Sequence, residues 1–414
     1  MKQVCARAFS TALLFATLSG MVLADGGEPA SGEWEASRGD VLVDIRARAE
    51  FVEQEGKQDA EMTSVRSLLG WQSPQMGGFT FLGEIENAFI ITDGGYNNGI
   101  NGQTQFGKIS NTNFTELQRL QLTYALSEQL SVTAGRQYLN FDDKRFVGSP
   151  GASQDKVSHD AVSFNFTNEG LRADYVYHFR SNRGPGDRNE WEGDSHLFRA
   201  QYGVNEWVNL TGFAYFIDLD GSAANRSNFT YGGWLRGGHD FGDAELSYAA
   251  MIAQQSDYGD NTAEFDLTYI ITDVSLEYGP VTFSAGWDVL EGDGSHRILN
   301  PLGANHSVLG YADVFTGGGR QGTVEGLEDM NIGVEYTVET GNDFFSEIEF
   351  GLRRHEFSAE RTGNDLGTDW DSWVTIGLPH NLSLTFEYQD FEGTDDPVSP
   401  ADRTRFWTVL TYKR

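Results

Sequence analysis

The chain has 414 residues, a single cysteine and a formal charge of −32, with 61 acidic side chains against 29 basic ones. This balance excludes a nucleic-acid partner, whose affinity would come from basic groups neutralising phosphates, and one cysteine excludes a disulfide scaffold or a thiolate metal centre. Aromatic residues make up 13% of the chain, which argues against acidic disorder, and 49 glycines with nine prolines fit many strands and turns.

At the amino end, Lys2 and Arg7 precede an apolar stretch, Phe9 to Leu23, and Val22-Leu23-Ala24 offers a cleavage site. Residues 1–24 therefore read as a secretory signal peptide, too short in apolar length for a spanning helix of about 20 residues. Cys5 lies ahead of the apolar stretch, so the exported chain is cysteine-free. Residues 25–39 read as a flexible lead-in, and 40–414 as one outer-membrane β-barrel.

Alternation begins at Val41, Val43, Ile45, Ala47 and Ala49 against Asp44, Arg46, Arg48 and Glu50, the period-two pattern of a strand with unlike faces. Similar segments follow near 63–71, 79–91, 116–126, 129–138, 159–167, 170–180, 195–204, 206–217, 229–239, 243–254, 264–278, 280–290, 330–339, 344–357, 370–378, 380–392 and 403–412, eighteen in all. Connections after odd-numbered segments are long, as at 92–114, 139–158 and 291–329. Those after most even-numbered ones are as short as Ser127-Glu128, Asn168-Glu169 or Gly279. Outer-membrane barrels sort their connections in this way, with short periplasmic turns and long outer loops. Eighteen strands enclose a lumen that side chains cannot fill. The apolar faces, such as Leu382, Leu384, Phe386 and Tyr388, are therefore expected against lipid and the charges inside. The fold class is an all-β, transmembrane, antiparallel barrel of 18 strands in the bacterial outer membrane. Two segments break the pattern. In 264–278 the apolar face switches parity, which implies a bulge near Tyr269-Ile270. Arg136 shares parity with Leu130 and Val132, so it either snorkels to the headgroups or sits on a bulge.

Gly135-Arg136-Gln137, then Phe141-Asp142-Asp143-Lys144-Arg145-Phe146-Val147-Gly148, then His159-Asp160-Ala161-Val162 resemble elements of the alginate export family of outer-membrane porins. A second stretch is similar to that family: Asn300-Pro301-Leu302 through His306, Gly310-Tyr311-Ala312-Asp313, Phe315 and Gly326-Leu327-Glu328-Asp329. The sequence departs from the family at Ala152-Ser153-Gln154, where a tryptophan-arginine pair is usual, at Tyr311, which stands for a tryptophan, and at the carboxyl end, where Lys413-Arg414 follow Tyr412. The resemblance implies a passive 18-stranded channel and marks Arg136, Gln137, Arg145, Asp160, Asp313 and Asp329 as motif residues.

With the apolar faces outside, the inward charges divide along the chain. A basic wall comprises Arg46, Arg48, Arg66, Arg119, Arg172, Arg199, Arg236 and Arg405, with Arg180 near them. An acidic wall comprises Glu245, Asp266, Asp273, Glu277, Asp288, Glu335, Glu347, Glu349, Asp371 and Glu387; exceptions are Glu84, Glu86, Asp174 and Arg353. Two readings follow: a transverse field that orients polar solutes, or pairs of neighbours that hold the wall rigid. The three long loops are the candidates for narrowing the pore.

Gly317-Gly318-Gly319-Arg320-Gln321-Gly322 has a G-x-G-x-x-G spacing but follows no buried strand and opens no helix. Asp218-Leu219-Asp220-Gly221 and Asp257-Tyr258-Gly259-Asp260 lack the remaining ligands of a calcium loop, and the eight histidines show no zinc spacing. No cofactor, metal or catalytic nucleophile is expected, and the partners are membrane lipid, lipopolysaccharide and a polar or anionic solute. The expected function is a porin passing small or oligomeric polar solutes, anionic saccharides such as alginate among them. The alternative is a plugged barrel acting as a surface adhesin or structural anchor.

Overall fold

A computed structural model describes residues 39–414 apart from 150, 185–189, 206, 305, 307 and 343; the expected signal peptide and nearly all of the lead-in lie outside the described residues. The strands are β1 (Asp40–Gln54), β2 (Ala60–Gln72), β3 (Phe79–Gly95), β4 (Phe114–Ala125), β5 (Leu130–Gln137), β6 (Ser158–Asn168), β7 (Leu171–Asn182), β8 (Trp191–Asn205), β9 (Val208–Ile217), β10 (Asn228–Asp240), β11 (Ala244–Asp257), β12 (Asp266–Tyr278) and β13 (Val281–Leu290). A two-residue hairpin, β14 (Thr316–Gly317) with β15 (Arg320–Gln321), precedes β16 (Leu327–Glu339), β17 (Glu347–Ser358), β18 (Asp365–Leu378), β19 (Leu382–Glu392) and β20 (Arg403–Lys413). All but β14 and β15 form one 18-stranded antiparallel sheet of sequential neighbours, closed by β1 against β20 from Asp44↔Lys413 to Gln54↔Arg403.

Burial is inverted relative to a soluble protein. Large apolar side chains such as Val41, Leu69, Leu120, Leu122, Phe283 and Ile332 stand exposed on the outside, whereas Arg48, Glu50, Arg66, Glu86, Asp174, Asp371 and Gln389 are buried within. Among the described residues no helix is long and apolar enough to cross a membrane. An outward apolar face on a closed sheet leaves no backbone edge unpaired in lipid, the condition for spanning a membrane with strands. Trp207, Phe241, Tyr278 and Phe344 stand exposed at the short-turn end, where an aromatic girdle meets the membrane interface.

Three expectations are corrected here, the bulge in β12 and the inward placements of Asp266 and Arg180, and the choice left open at Arg136 falls to the outer face without a bulge. β12 pairs with β11 and β13 in unbroken register, so there is no bulge at Tyr269-Ile270. Leu267, Tyr269 and Ile271 face inward and are buried there with loop residues, while Asp266, of opposite parity, faces outward and accepts a hydrogen bond from Gln254. The switch in apolar parity reflects a change in what the inner face meets, from water to a packed loop. Arg136 lies on the outer face in register with Leu120 and Asp160. It carries its counter-charge with it: its Nε stands 2.8 Å from Asp160. Arg180, also expected inside, reaches the same outer cluster through Glu192 and Asp160 after a register shift at His178/Arg180.

Replacing Ile332, near the middle of the outer face of β16, by arginine should cost about 2–4 kcal/mol, measured by denaturant refolding into vesicles. Ser247→Arg on the inner face of β11 should stay within about 0.5 kcal/mol.

Candidate functional site

Two outer loops fold into the lumen. The third loop (138–157) joins β5 to β6, and the seventh (291–326) joins β13 to β16. They meet at a parallel bridge between Val147 and Leu302, supported by the Gly148 N–H to Leu302 carbonyl bond (2.8 Å) and the Ala304 N–H to Lys144 carbonyl bond (2.9 Å). Leu139, Phe141, Phe146, Val147, Leu299, Leu302, Leu309 and Phe315 form one buried cluster with Phe213, Tyr215, Met251, Tyr269, Phe357 and Phe391 of the wall. Burying a side chain of this kind contributes about 1.5–3 kcal/mol, so the loops are part of the core.

The loops also meet the wall charges. Arg46 donates to the carbonyls of Gly151, Ala152 and Ser153 and to the Gln154 side chain (2.8 Å), and Arg48 donates to the Ala152 carbonyl and to Glu50 (2.8 Å). Asp142 of the third loop binds Arg199 (3.0 Å) and Arg236 (2.7 Å). Arg145 of the same loop crosses to Asp288 (2.8 Å) and also donates to the Tyr269 hydroxyl. In the seventh loop Asp313 binds Arg405 (2.6 Å) and His306 (2.9 Å), and His306 stands 3.8 Å from Glu387. The N–H groups of Tyr311 and Ala312 donate to Asp371 (3.0 Å) and Asp369 (3.1 Å).

The remaining expected residues sit as follows. Arg66 pairs with Asp44 (2.7 Å), Arg119 forks onto Glu84 (2.7 and 2.9 Å), and Arg172 binds Asp174 (3.2 Å). Asp329 accepts from His355 (2.8 Å), Glu335 lies 3.6 Å from Arg353, and Glu349 accepts from the Trp373 indole (2.6 Å). Gln137 faces inward and bonds to Ser163 (2.7 Å) and the Ala161 carbonyl (3.0 Å). Glu245 and Glu277 oppose each other on the inner face of β11 and β12, and Glu347 lies at the short-turn end of β17. The third loop thus breaks the expected division of charge, carrying a carboxylate to the basic side and a guanidinium to the acidic side.

What remains open is a polar cavity of about 440 Å³ between β20, β1 and the two loops. Arg48, Arg403, Arg405 and Trp407 of the wall line it with Lys108 of the second outer loop, Arg183 of the fourth, and His306. Strand parity does not single out Lys108, Arg183 and Arg403, because two lie in loops and one begins a strand. Burial and Arg403 lower the Lys108 pKa, and burial and Arg226 bring that of Arg183 to about 10. Burial opposes the charge on His306, yet Asp313 and Glu387 raise its pKa to about 9. Burial likewise opposes ionisation of Asp313, which His306 and Arg405 pull below the usual carboxylate range.

No protein-family model matches this sequence, and no curated protein matches it. Solved structures do. OpdO of Pseudomonas aeruginosa superposes with a TM-score of 0.68 at 14% identity, covering 91% of this chain and 97% of its own. OpdL of the same organism gives 0.66 at 12%, covering 90% and 98%. OpdK, an outer-membrane protein solved with vanillate, gives 0.68 at 13%, covering 91% and 98%. The chain has the fold of an outer-membrane porin. These neighbours are Opd channels rather than alginate export proteins, so the motif resemblance narrows to the porin architecture. The outward apolar band and closed sheet of this porin fold agree with a place in the bacterial outer membrane.

The raised pKa of His306 makes its contribution to loop docking complete below about pH 6.5 and lost as pH rises through about 9. Seventh-loop cleavage by an added protease should therefore increase between pH 7 and pH 10 in the wild-type protein. In His306→Gln it should be high throughout.

Proposed function

We propose that this porin is a passive channel for small solutes bearing a carboxylate, and that the cavity between β20, β1 and the two inward loops is their constriction. The observation that carries this reading is the set of partners given to three cations there. Arg403 donates to the carbonyls of Ala312 (3.2 Å) and Lys108 (3.0 Å), and Arg183 donates to the Pro301 carbonyl (2.5 Å). Among the described residues neither they nor Lys108 has a carboxylate within ion-pair distance. A guanidinium held by carbonyl oxygens is oriented without being neutralised, and its planar fork matches a carboxylate bidentately. The pairs Arg48 with Glu50 and Arg405 with Asp313 supply the neutral part of the same rim. A low-dielectric wall concentrates the field of the three open cations and raises the local concentration of anions.

Vanillate, with which OpdK was solved, is a small aromatic carboxylate, which supports the solute class for a barrel of this architecture. Uronates, the units of alginate, carry the same group and belong to the same reading. On this reading Arg46, Arg48, Arg199, Arg236 and Asp288 act by holding the third loop, and Arg405, Asp371 and Glu387 by holding the seventh.

The triple substitution Lys108→Gln, Arg183→Gln, Arg403→Gln should reduce liposome swelling by benzoate and glucuronate several-fold while leaving glucose unchanged, and should move the reversal potential toward cations. Equal rates for anions and glucose in the wild type would contradict the reading. Absence of any conductance would favour the plugged barrel acting as an adhesin.

A further inference from the structure

Where the third loop returns to the wall, two histidines and a serine are buried together outside the solute cavity. His159 of β6 faces Ser181 of β7 in register, and Ala161 faces His178. Between these pairs β6 advances by two residues and β7 by three, the register shift at Asp160/Ala161. Residues three apart on a regular strand point to opposite faces. The extra residue therefore turns His178 and Ser181 to the same side, the re-aiming of side chains that bulges provide. His159, His178 and Ser181 are all fully buried.

Their polar atoms converge. Nδ1 of His159 lies 3.3 Å from Nε2 of His178, and each of these nitrogens lies 3.1 Å from Oγ of Ser181. The two rings are inclined at 63° rather than stacked. Hydrogen bonding alone serves this triangle badly, because a neutral imidazole has one N–H and one bare nitrogen. The outer nitrogens, Nε2 of His159 and Nδ1 of His178, have no hydrogen-bond partner among the described residues. Any tautomer pair that links the inner nitrogens therefore leaves one buried ring N–H unpaired on the outside, a defect that native interiors rarely carry without a reason. A metal ion removes the conflict. Both inner nitrogens are then bare ligands, and both ring protons sit on the outer nitrogens. The backbone of Gly148 lies beside the first ring and that of Arg180 beside the second, and metal-bound histidines commonly donate their other N–H to such a backbone carbonyl.

We propose that His159, His178 and Ser181 are three ligands of a Zn²⁺ site that ties the neck of the third loop to β7. Tetrahedral zinc with bonds of about 2.0–2.1 Å sets its donor atoms about 3.3–3.4 Å apart. The triangle of side chains is thus close to one face of that tetrahedron. Water takes the fourth position, and its ionisation on zinc offsets part of the ion's charge. His159 is the second residue of β6, directly after the loop, so occupancy fixes where the loop leaves the wall. The ligands show no zinc spacing in sequence because strand register, not chain proximity, brings them together. The inference is independent of which solute the channel passes.

The test uses the full-length, untagged barrel refolded in detergent with Zn²⁺, or with Co²⁺ as a coloured substitute, and then freed of excess metal by gel filtration. One saturable ion per chain is expected, with a higher melting temperature than the metal-free protein and the intense visible absorption of four-coordinate Co²⁺. In competition with a chelating indicator, His159→Gln and His178→Gln should each weaken binding at least tenfold, with folding checked by the mobility of unheated protein on a gel. His239→Gln, at the short-turn end of β10, should bind as the wild type does. Ser181→Cys, which sets a thiolate at the third corner, should add a sulfur-to-cobalt charge-transfer band absent from the wild type. No saturable ion in the wild type would overturn the proposal, as would undiminished binding in both folded histidine variants or a cobalt-loaded Ser181→Cys protein without the sulfur band. If neither histidine variant folds, the wild-type stoichiometry and the cysteine band decide it.

Discussion

The barrel must close, and most of its other features follow from that constraint. In lipid no backbone N–H or carbonyl can go unpaired, so β1 must find β20, and eighteen strands then enclose more space than side chains fill. The third and seventh loops occupy that space with an apolar cluster of their own. Irregular loops bring in backbone groups that no ladder satisfies, and the wall supplies their partners. Arginines 46, 48 and 403 donate to loop carbonyls, whereas Asp369 and Asp371 accept from loop N–H groups. The sign of each wall therefore matches the backbone polarity of the loop segment that lies on it.

This complementarity sorts the lumen charges by use. Arg199 and Arg236 share Asp142, Asp288 takes Arg145, and Arg405 takes Asp313. Such buried pairs hold geometry, since removing one partner leaves the other charge uncompensated. What the pairs leave over faces the open lumen. On one side these are cations held only by carbonyls. Toward the short turns they are carboxylates such as Glu245 and Glu277.

The strands were legible because period-two alternation is a local signal, repeated eighteen times, and the sorting of connection lengths gave the direction of each hairpin. Strand parity also placed Arg46, Arg119 and Glu387 on the inner face. It failed at Asp266, because parity was judged by hydrophobicity alone, and the inner face of β12 is apolar where a loop packs on it. It marked Arg136 as anomalous without revealing Asp160, a partner on the neighbouring strand. The contacts of Asp142 with Arg199 and Arg236 span 57 and 94 positions of sequence. No spacing rule encodes them, since they exist only after a loop has folded into a closed barrel. The open cations Lys108 and Arg183 carry no such signal for a related reason. They lie in loops, where side-chain direction has no period.

Loop docking and the charge that faces the lumen are consequently one property. Each ion pair between loop and wall hides a charge from the lumen, so a loop that lifts away changes the field as well as the width of the pore. Lifting the seventh loop would separate Asp313 from Arg405 and remove the Ala312 carbonyl from Arg403, and would strip the loop N–H groups from Asp369 and Asp371. Lifting the third would bare Arg199 and Arg236 on one side and Asp288 on the other. Either motion therefore bares charge of both signs on the wall.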